Sequence, residues 1–518
     1  MNRRFNITGP CNPKDHYMVS PFRHLWDEIN SLISVGEYFV IHAARQTGKT
    51  TLLMELDSAI HSAGRYYGLY CSLEGLEGIK NAAEGIPAII KSVNSAIGDF
   101  GLPNAGSFME GIDLSDYTNA LRRSLSLYCR GLDKPLVPLF DEVDCLSGQT
   151  LISFLRQLRN GFVTRSKIPF PHSVALVGMR NIRDYRDEYR SPKETLGDAS
   201  PYNIAKAYMT MNNFTLDEVS ELYAQRTRET GQAFEGAAVE LAWRQTQGQP
   251  WLVNAIACEI VEKITGSKTV TPEMVSQAIH SIETKRAPHI DSLMARLREE
   301  RVRRVIEPVI IGKEGVINRF SDDYGYAKDL GLIRDDNGTV EPANPIYADI
   351  MVRTLNADTQ YELAAAGPQY QLPRYMAGGV MDMDCLLMDF QAFWRENSGI
   401  WTERYEYKEA APQLILQAFL QRVLNGGGRI TREMAAATGR ADLCVEYNEK
   451  RYPMEMKIRR TDKAYEDGVK QILGYMDILG CDKGWLVVFD NRKNTSWDER
   501  IFNRRVISDG KTVMIYGC

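Results

Sequence analysis

None of the nine cysteines stands in a C-x-x-C spacing. Neither a zinc ribbon nor a disulfide framework is therefore expected, and the thiols suit a reducing compartment. No apolar run approaches the roughly 18 residues that a membrane-spanning helix needs. Met1–Asn6 lacks the apolar core of a signal sequence. A soluble, cytoplasmic chain without a membrane partner is the expectation. Charge of one sign is scarce too: 62 Lys+Arg against 67 Asp+Glu give a net −5, so no global basic field announces nucleic acid. Residues 401–518 carry a mild +3, leaving −8 for the rest. None of the seven histidines follows His289, which excludes a histidine-metal centre beyond it.

What is present is ordinary for a globular protein, 44% apolar and 25% charged residues. A length of 518 residues predicts three to four domains at roughly 100–200 residues each. One stretch organises the first half. Ala43-Ala44-Arg45-Gln46-Thr47-Gly48-Lys49-Thr50-Thr51 follows the apolar run Tyr38–His42 and precedes the helix-like Leu52–Leu56. Strand, tight loop and helix are the context of a phosphate-binding loop, with Ala43 in place of its first glycine. Backbone N–H groups from Ala44 to Thr51 would face phosphate at the helix N-terminus. Lys49 would reach the β/γ oxygens, and Thr50 would ligate Mg²⁺.

Leu136–Phe140 is an apolar strand ending in Asp141-Glu142. Asp141 would hold the Mg²⁺ shell, and Glu142 would orient or deprotonate the attacking water. Pro138 inside that strand is irregular, because proline removes a ladder donor. A later buried strand, Ser173–Gly178, ends near Arg180, a candidate sensor of the terminal phosphate. Strands alternating with helices predict a parallel sheet covered on both faces. Residues 206–285 read as all helical, with Gly248-Gln249-Pro250 at a sharp turn that returns toward the nucleotide. In the leader before the first strand, Phe5, His16 and Tyr17 are candidate base contacts, with plain core packing the commoner use of such residues.

These residues together resemble the P-loop ATPases of the AAA-like, archaeal-ATPase and STAND assemblage, over roughly residues 1–285. The resemblance implies ATP and Mg²⁺ as cofactors, ATP hydrolysis, and often a nucleotide-driven switch or homo-oligomer. Gly248 and Pro250 match its lid signature. The domains then read as a leader (1–37), an ATPase core (38–205) and a lid (206–285). Residues 286–357 resemble a winged helix, with an arginine-rich helix and the hairpin Gly331–Pro342. A connector with a salt-bridged face and a DNA reader are both open for it. Residues 358–400 read as a linker with one helix, roughly Asp384 to Glu396.

Residues 401–518 carry separate chemistry. Arg440–Tyr447 and Arg451–Ile458 flank a polar turn and predict a β-hairpin. Period two puts Glu455 and Lys457 on one face of the second strand, opposite Asp442, a costly arrangement unless paired or metal-bound. Asp442 and Glu455 are hard oxygen donors suited to Mg²⁺, and Lys457 would position or deprotonate a water. Asp, a spacer and Glu-x-Lys in a hairpin resemble the PD-(D/E)XK nuclease superfamily, with Ala441-Asp442 in place of the nominal Pro-Asp. The resemblance implies an αβββαβ-type restriction-endonuclease-like domain. Glu409, opening a helix to Val423, would be an additional metal-shell acid, and Gln471 on the helix Tyr465–Leu479 a further site residue. The expected whole is an α/β multidomain ATPase coupled to a Mg²⁺-dependent nuclease. Its partner is nucleic acid, with DNA the expected substrate, and by analogy its setting is bacterial defence or mobile-element biology. The alternative is an ATP-driven switch whose C-terminal fold only binds nucleic acid or a partner.

Overall fold

The computed structural model describes residues 3–179, 204–264, 268–284, 288–310, 317–336, 338–355, 372–377, 379–402, 411–424, 429–431, 443–448, 450–459, 463–492 and 495–518. The chain divides into two compact units. The N-terminal one comprises Met1–Lys285 with Gly325–Leu332, and the C-terminal one the remainder.

The N-terminal unit is built on β1 (Phe39–His42), β2 (Tyr67–Ser72), β3 (Leu136–Asp141), β4 (Ala175–Gly178) and β5 (Ala207–Thr210). They form one sheet in the order β2-β3-β4-β1-β5, every pair parallel. Parallel strands covered on both faces must be apolar on both, and the two faces of β1 separate accordingly. Phe39 and Ile41 pack under α1 (Trp26–Ser34) and α2 (Lys49–Ala63). Tyr38 and Val40 pack against α3 (Ala82–Asp99), α4 (Ala120–Arg130) and α5 (Gly148–Thr164). Pro138 is accommodated by register. Tyr67 N–H donates to Pro135 O and His172 N–H to Leu136 O, so even positions of β3 face β4. The β3–β4 ladder pairs only Leu139 and Phe140, so the donor that Pro138 lacks falls before that ladder begins.

The stretch expected as a lid holds α6 (Leu216–Thr230), α7 (Gly236–Thr246), α8 (Pro250–Lys263) and α9 (Pro272–Thr284), with a two-residue parallel bridge between β6 (Ala233–Phe234) and β7 (Thr269–Val270). A capping box at Thr215 and Glu218 starts α6.

The C-terminal unit opens with α10 (Pro288–Arg296), α11 (Glu300–Ile310), α12 (Asp322–Asp329, shared with the other unit), the antiparallel hairpin β8 (Ile333–Asp336) and β9 (Thr339–Pro342), and α13 (Pro345–Leu355). After the small hairpin β10 (Met376–Ala377) and β11 (Val380–Met381) come α14 (Met383–Thr402) and α15 (Ala411–Leu424). Then follow β12 (Arg429–Thr431), β13 (Leu443–Tyr447), β14 (Lys450–Arg459), α16 (Lys463–Leu479), β15 (Lys483–Asp490), α17 (Trp497–Arg500), β16 (Phe502–Ser508) and β17 (Lys511–Gly517). The six strands form a mixed sheet in the order β12-β13-β14-β15-β17-β16. From α15 to β15 the element order is the αβββαβ expected from sequence.

The domain boundary drawn at 401 is corrected, because it falls inside α14. That helix belongs to the sheet: Gln391 donates to Phe502 O and Gly517 O, and Trp394 meets Phe489 edge-on at 5.1 Å. Its apolar face gave no hint of destination in the sequence. Asp384, at the helix start, accepts from Trp485 Nε1 at 2.9 Å, from Tyr516 OH at 2.8 Å and from Lys483 Nζ. Burial opposes the carboxylate charge, but those donors outweigh it and hold Asp384 below the usual carboxylate range.

A group held low contributes stability above its unfolded pKa of about 4 and loses it as the pH falls further. Asp384→Asn is expected to destabilise the C-terminal unit by roughly 1–2 kcal/mol at neutral pH, the low end for charged hydrogen bonds because the carboxylate is partly screened. The gap to the parent should close on acidification below about pH 4, read from thermal midpoints across pH.

Candidate functional site

Because the strands are parallel, the loops after β1, β3 and β4 leave from one edge of the sheet. The loop after β1 is closed on itself. Ala43 N–H donates to Gly178 O, Thr47 Oγ1 to Ala44 O at 2.8 Å, and Gly48 caps α2 at φ 97°. No atom lies within 4 Å of where a side chain on Gly48 would stand. Lys49, 6% exposed, has its ammonium held by Ala43 O at 3.0 Å and Ala44 O at 3.2 Å.

Thr50 Oγ1 donates to Asp141 Oδ2 at 2.8 Å, joining the start of α2 to the end of β3. Asp141 is buried and also accepts from Glu142 N–H at 3.0 Å and from Tyr70 OH at 3.1 Å. Tyr70 was missed in the sequence. Period two on β2, in register with β3, puts it on the face of Leu139 and Asp141. Burial, then the Asp141 charge, push its phenol pKa up. Glu142 sits in the left-handed region, φ 54°, a conformation a non-glycine residue keeps only when its surroundings impose it. Its carboxyl pKa is raised, chiefly by burial, with Asp144 and Asp141 adding and Lys49 opposing. Asp144 accepts from Met179 N–H at 3.0 Å, tying this loop to the end of β4. Arg180 lies outside the described residues.

The lid reaches the same loop. Gln249 donates to Gln46 O at 3.4 Å while its Oε1 caps α8 through Leu252 N–H. Pro250 occupies the first turn of α8. Gly248 has φ +70°, and a Cβ there would stand 1.9 Å from Phe214 O. The leader crosses between the two: Cys11 N–H donates to Thr51 Oγ1 at 2.9 Å, Trp251 Nε1 to Ile7 O at 2.9 Å, and Arg3 Nε to Glu229 at 2.6 Å. The hydroxyl of Thr51 thus holds the leader. A cleft there is bordered by Thr47, Gly48, Tyr17, Pro250 and Asn254. Of the leader aromatics, Phe5 packs with Tyr17, Tyr223 and Phe234. The ring of His16 accepts from Asn12 N–H.

In the C-terminal unit Glu455 is 1% exposed, and Lys457 Nζ lies 2.6 Å from its Oε1. Both share the face under α16, where Gly468 leaves room for the Lys457 stem and Leu486. The same period continues to Arg459, whose guanidinium stands 3.7 Å from buried Asp490. Arg492 grips both oxygens of that carboxylate, at 2.7–3.1 Å. The row Glu455, Lys457, Arg459 with Asp490 exceeds the sequence reading; one more step of two past Lys457 would have found Arg459. Gln471 is exposed on α16 and Tyr475 buried. Asp442 and Glu409 lie outside the described residues. Among the described residues no three His, Cys, Asp or Glu side chains gather to hold a metal. The arginines of α10 and α11 are paired: Arg296 with Glu299, Arg303 with buried Glu307, Arg304 with Glu300, and Arg301 near Asp323. That is the salt-bridged face. No helix among the described residues is long and apolar enough to cross a membrane.

A P-loop nucleotide-binding fold is what this geometry describes. Residues 387–493 match a family model described as a domain of unknown function, DUF8371; the match begins within α14. No curated protein matches. Among solved structures, the chain is similar to a Walker-type ATPase of Pyrococcus abyssi, with 16% identity, 67% of this chain and 99% of that one covered, and a TM-score of 0.45. It is also similar to Cdc6p of Pyrobaculum aerophilum, at 14%, 67% and 97%, and 0.37. A third is the RuvB Holliday-junction branch-migration motor of Thermotoga maritima, at 12%, 64% and 94%, and 0.35.

Gly248→Ala should displace the Phe214 backbone and detach the lid turn. A loss of about 2 kcal/mol or more is expected in the N-terminal unit, seen as a lower thermal midpoint; an unchanged midpoint would refute the close approach.

Proposed function

We propose that the N-terminal unit binds and hydrolyses ATP, and that the C-terminal sheet cleaves phosphodiester bonds in nucleic acid, with DNA the expected substrate. The observation that carries the first part is the Thr50–Asp141 hydrogen bond beside a loop-bound Lys49. The residues fit Mg·ATP. Thr50 and Asp141 offer paired oxygen donors, Gly48 leaves open space on the loop, and a cleft adjoins it. Thr50 and Asp141 would hold Mg²⁺, which when bound supplies Lewis-acid charge to the phosphates. Lys49 exchanges loop carbonyls for phosphate oxygens and offsets their charge. Glu142, raised in pKa yet set by its backbone at the strand end, orients the attacking water and takes its proton as the γ-phosphoryl bond breaks. Tyr70 shares Asp141 and keeps its carboxylate aimed at α2.

The nuclease part rests on Glu455 with Lys457. A buried carboxylate is costly unless paired or metal-bound, and this pair stands where the superfamily resemblance sets its Glu-x-Lys. Glu455 would hold Mg²⁺ together with Asp442, and Lys457 would position a water and offset charge developing on the scissile phosphate.

Lys49→Ala should abolish ATP hydrolysis, and Glu142→Gln should lower turnover by about 10²-fold or more while nucleotide still binds; retained turnover in either sinks the ATPase reading. Labelled plasmid and linear DNA, incubated with Mg²⁺ with and without ATP, test the second part. Glu455→Gln should stop cleavage and spare ATP turnover, and Lys49→Ala should change cleavage if the units are coupled. A parent that hydrolyses ATP but cuts neither DNA nor RNA leaves the nucleotide-switch reading.

A further inference from the structure

The row on β14 continues past the residues assigned to cleavage. Arg459 is the next residue on the face of Glu455 and Lys457, about 6.7 Å beyond Lys457 at two residues of strand rise. Register sets it beside Asp490 on β15. The Asp490 carboxylate is wholly buried, whereas the Arg459 side chain keeps 18% of its surface exposed and that of Arg492 35%. Arg492 Nε and Nη2 grip both carboxylate oxygens at 2.7–3.1 Å. Arg459 Nη1 stands 3.7 Å from Oδ2, the oxygen that Arg492 Nη2 meets at 2.7 Å. The two guanidinium groups therefore flank a single oxygen, close enough for one phosphate to touch both. Backbone contacts fix the turn that carries them: Asn491 N–H donates to Arg459 O at 3.1 Å and Arg492 N–H to Asp490 Oδ1 at 3.0 Å. Arg500 Nη2 donates to Arg492 O at 3.3 Å, bringing a third guanidinium to the same turn.

A buried carboxylate is costly unless paired, and a two-pronged arginine grip is the strong way to pair it. Arg492 already supplies that grip. Arg459, beyond hydrogen-bond reach of Asp490, is not needed to satisfy it. A guanidinium carries five N–H donors in a planar fork that matches phosphate. A strand of duplex carries one phosphate per about 3.4 Å of axis, so a cation one step of β14 beyond Lys457 lies within about two phosphates of the scissile one.

We propose that Arg459 and Arg492 bind a phosphate of the nucleic-acid substrate adjacent to the scissile bond, with Asp490 holding the guanidinium groups in place. This rests on the cleavage reading above for the position of that bond, and it assigns the contact that sets the substrate's register on β14.

Fluorescence anisotropy of labelled duplex DNA with the full chain, without Mg²⁺ and across a range of salt, tests it. Arg459→Gln should weaken binding about tenfold and lower the slope of log affinity against log salt by about 1, the loss of one phosphate contact. Arg459→Lys, which keeps the charge, should retain the parent's slope. Arg459→Gln combined with Asp490→Asn removes the buried charge along with its partner. A purely structural role for Arg459 would then return binding to the parent's level, whereas a phosphate contact stays lost. Parent slope in Arg459→Gln, or recovered affinity in the double variant, overturns the proposal and leaves the cleavage reading standing. A parent that shows the arginine-dependent slope but cuts no nucleic acid overturns the cleavage reading and keeps the phosphate contact. A parent that binds neither DNA nor RNA overturns both.

Discussion

The single direction of the five-stranded sheet is the constraint from which the N-terminal unit follows. Parallel strands discharge all their C-terminal ends at one edge, so the loop after β1, the acidic pair after β3 and Met179 after β4 meet without any further device. The Thr50–Asp141 bond is a product of that geometry, linking residues 91 positions apart. Had β3 run the other way, the same motifs would stand at opposite ends of the sheet. Asp144 reinforces the edge by joining two of the loops.

Around that edge the leader and the lid act as one cover. Arg3, Ile7, Cys11 and Met18 of the leader are bonded to Glu229, Trp251, Thr51 and Gln225, and Gln249 bonds the phosphate loop directly. The result is a cleft whose largely apolar walls are assembled from separate stretches of chain. Gly248 tolerates no Cβ because the Phe214 backbone stands where it would go.

Motifs defined by short spacing were legible in the sequence. The phosphate loop needs contiguous residues between a strand and a helix, and the hairpin carrying Glu455 and Lys457 needs only period two. Long-range partners were not legible. Nothing near Tyr70 announces Asp141, and nothing near Thr51 announces that its hydroxyl holds Cys11. The apolar face of α14 could have packed in several places, so its membership of the C-terminal sheet became clear only from Gln391 and Trp394. Pro138 illustrates the reverse case: a breach of strand propensity became harmless once register showed which neighbour it faces. Arg303 and Arg304 read as basic by composition and are neutralised by partners four residues away.

The crossing of the leader over the phosphate loop has a consequence for biosynthesis. Ile7 precedes Trp251, its hydrogen-bond partner, by 244 residues. At roughly 5–20 residues per second, the ribosome separates them by on the order of tens of seconds. During that interval the sheet edge and its loop can assemble, but the roof of the cleft cannot, because half of it has not been made. The nascent chain therefore passes through a stage in which a phosphate loop exists without the walls of the cleft beside it. The leader, made before the helices that face it across the cleft, gains its partner Trp251 only after they are made.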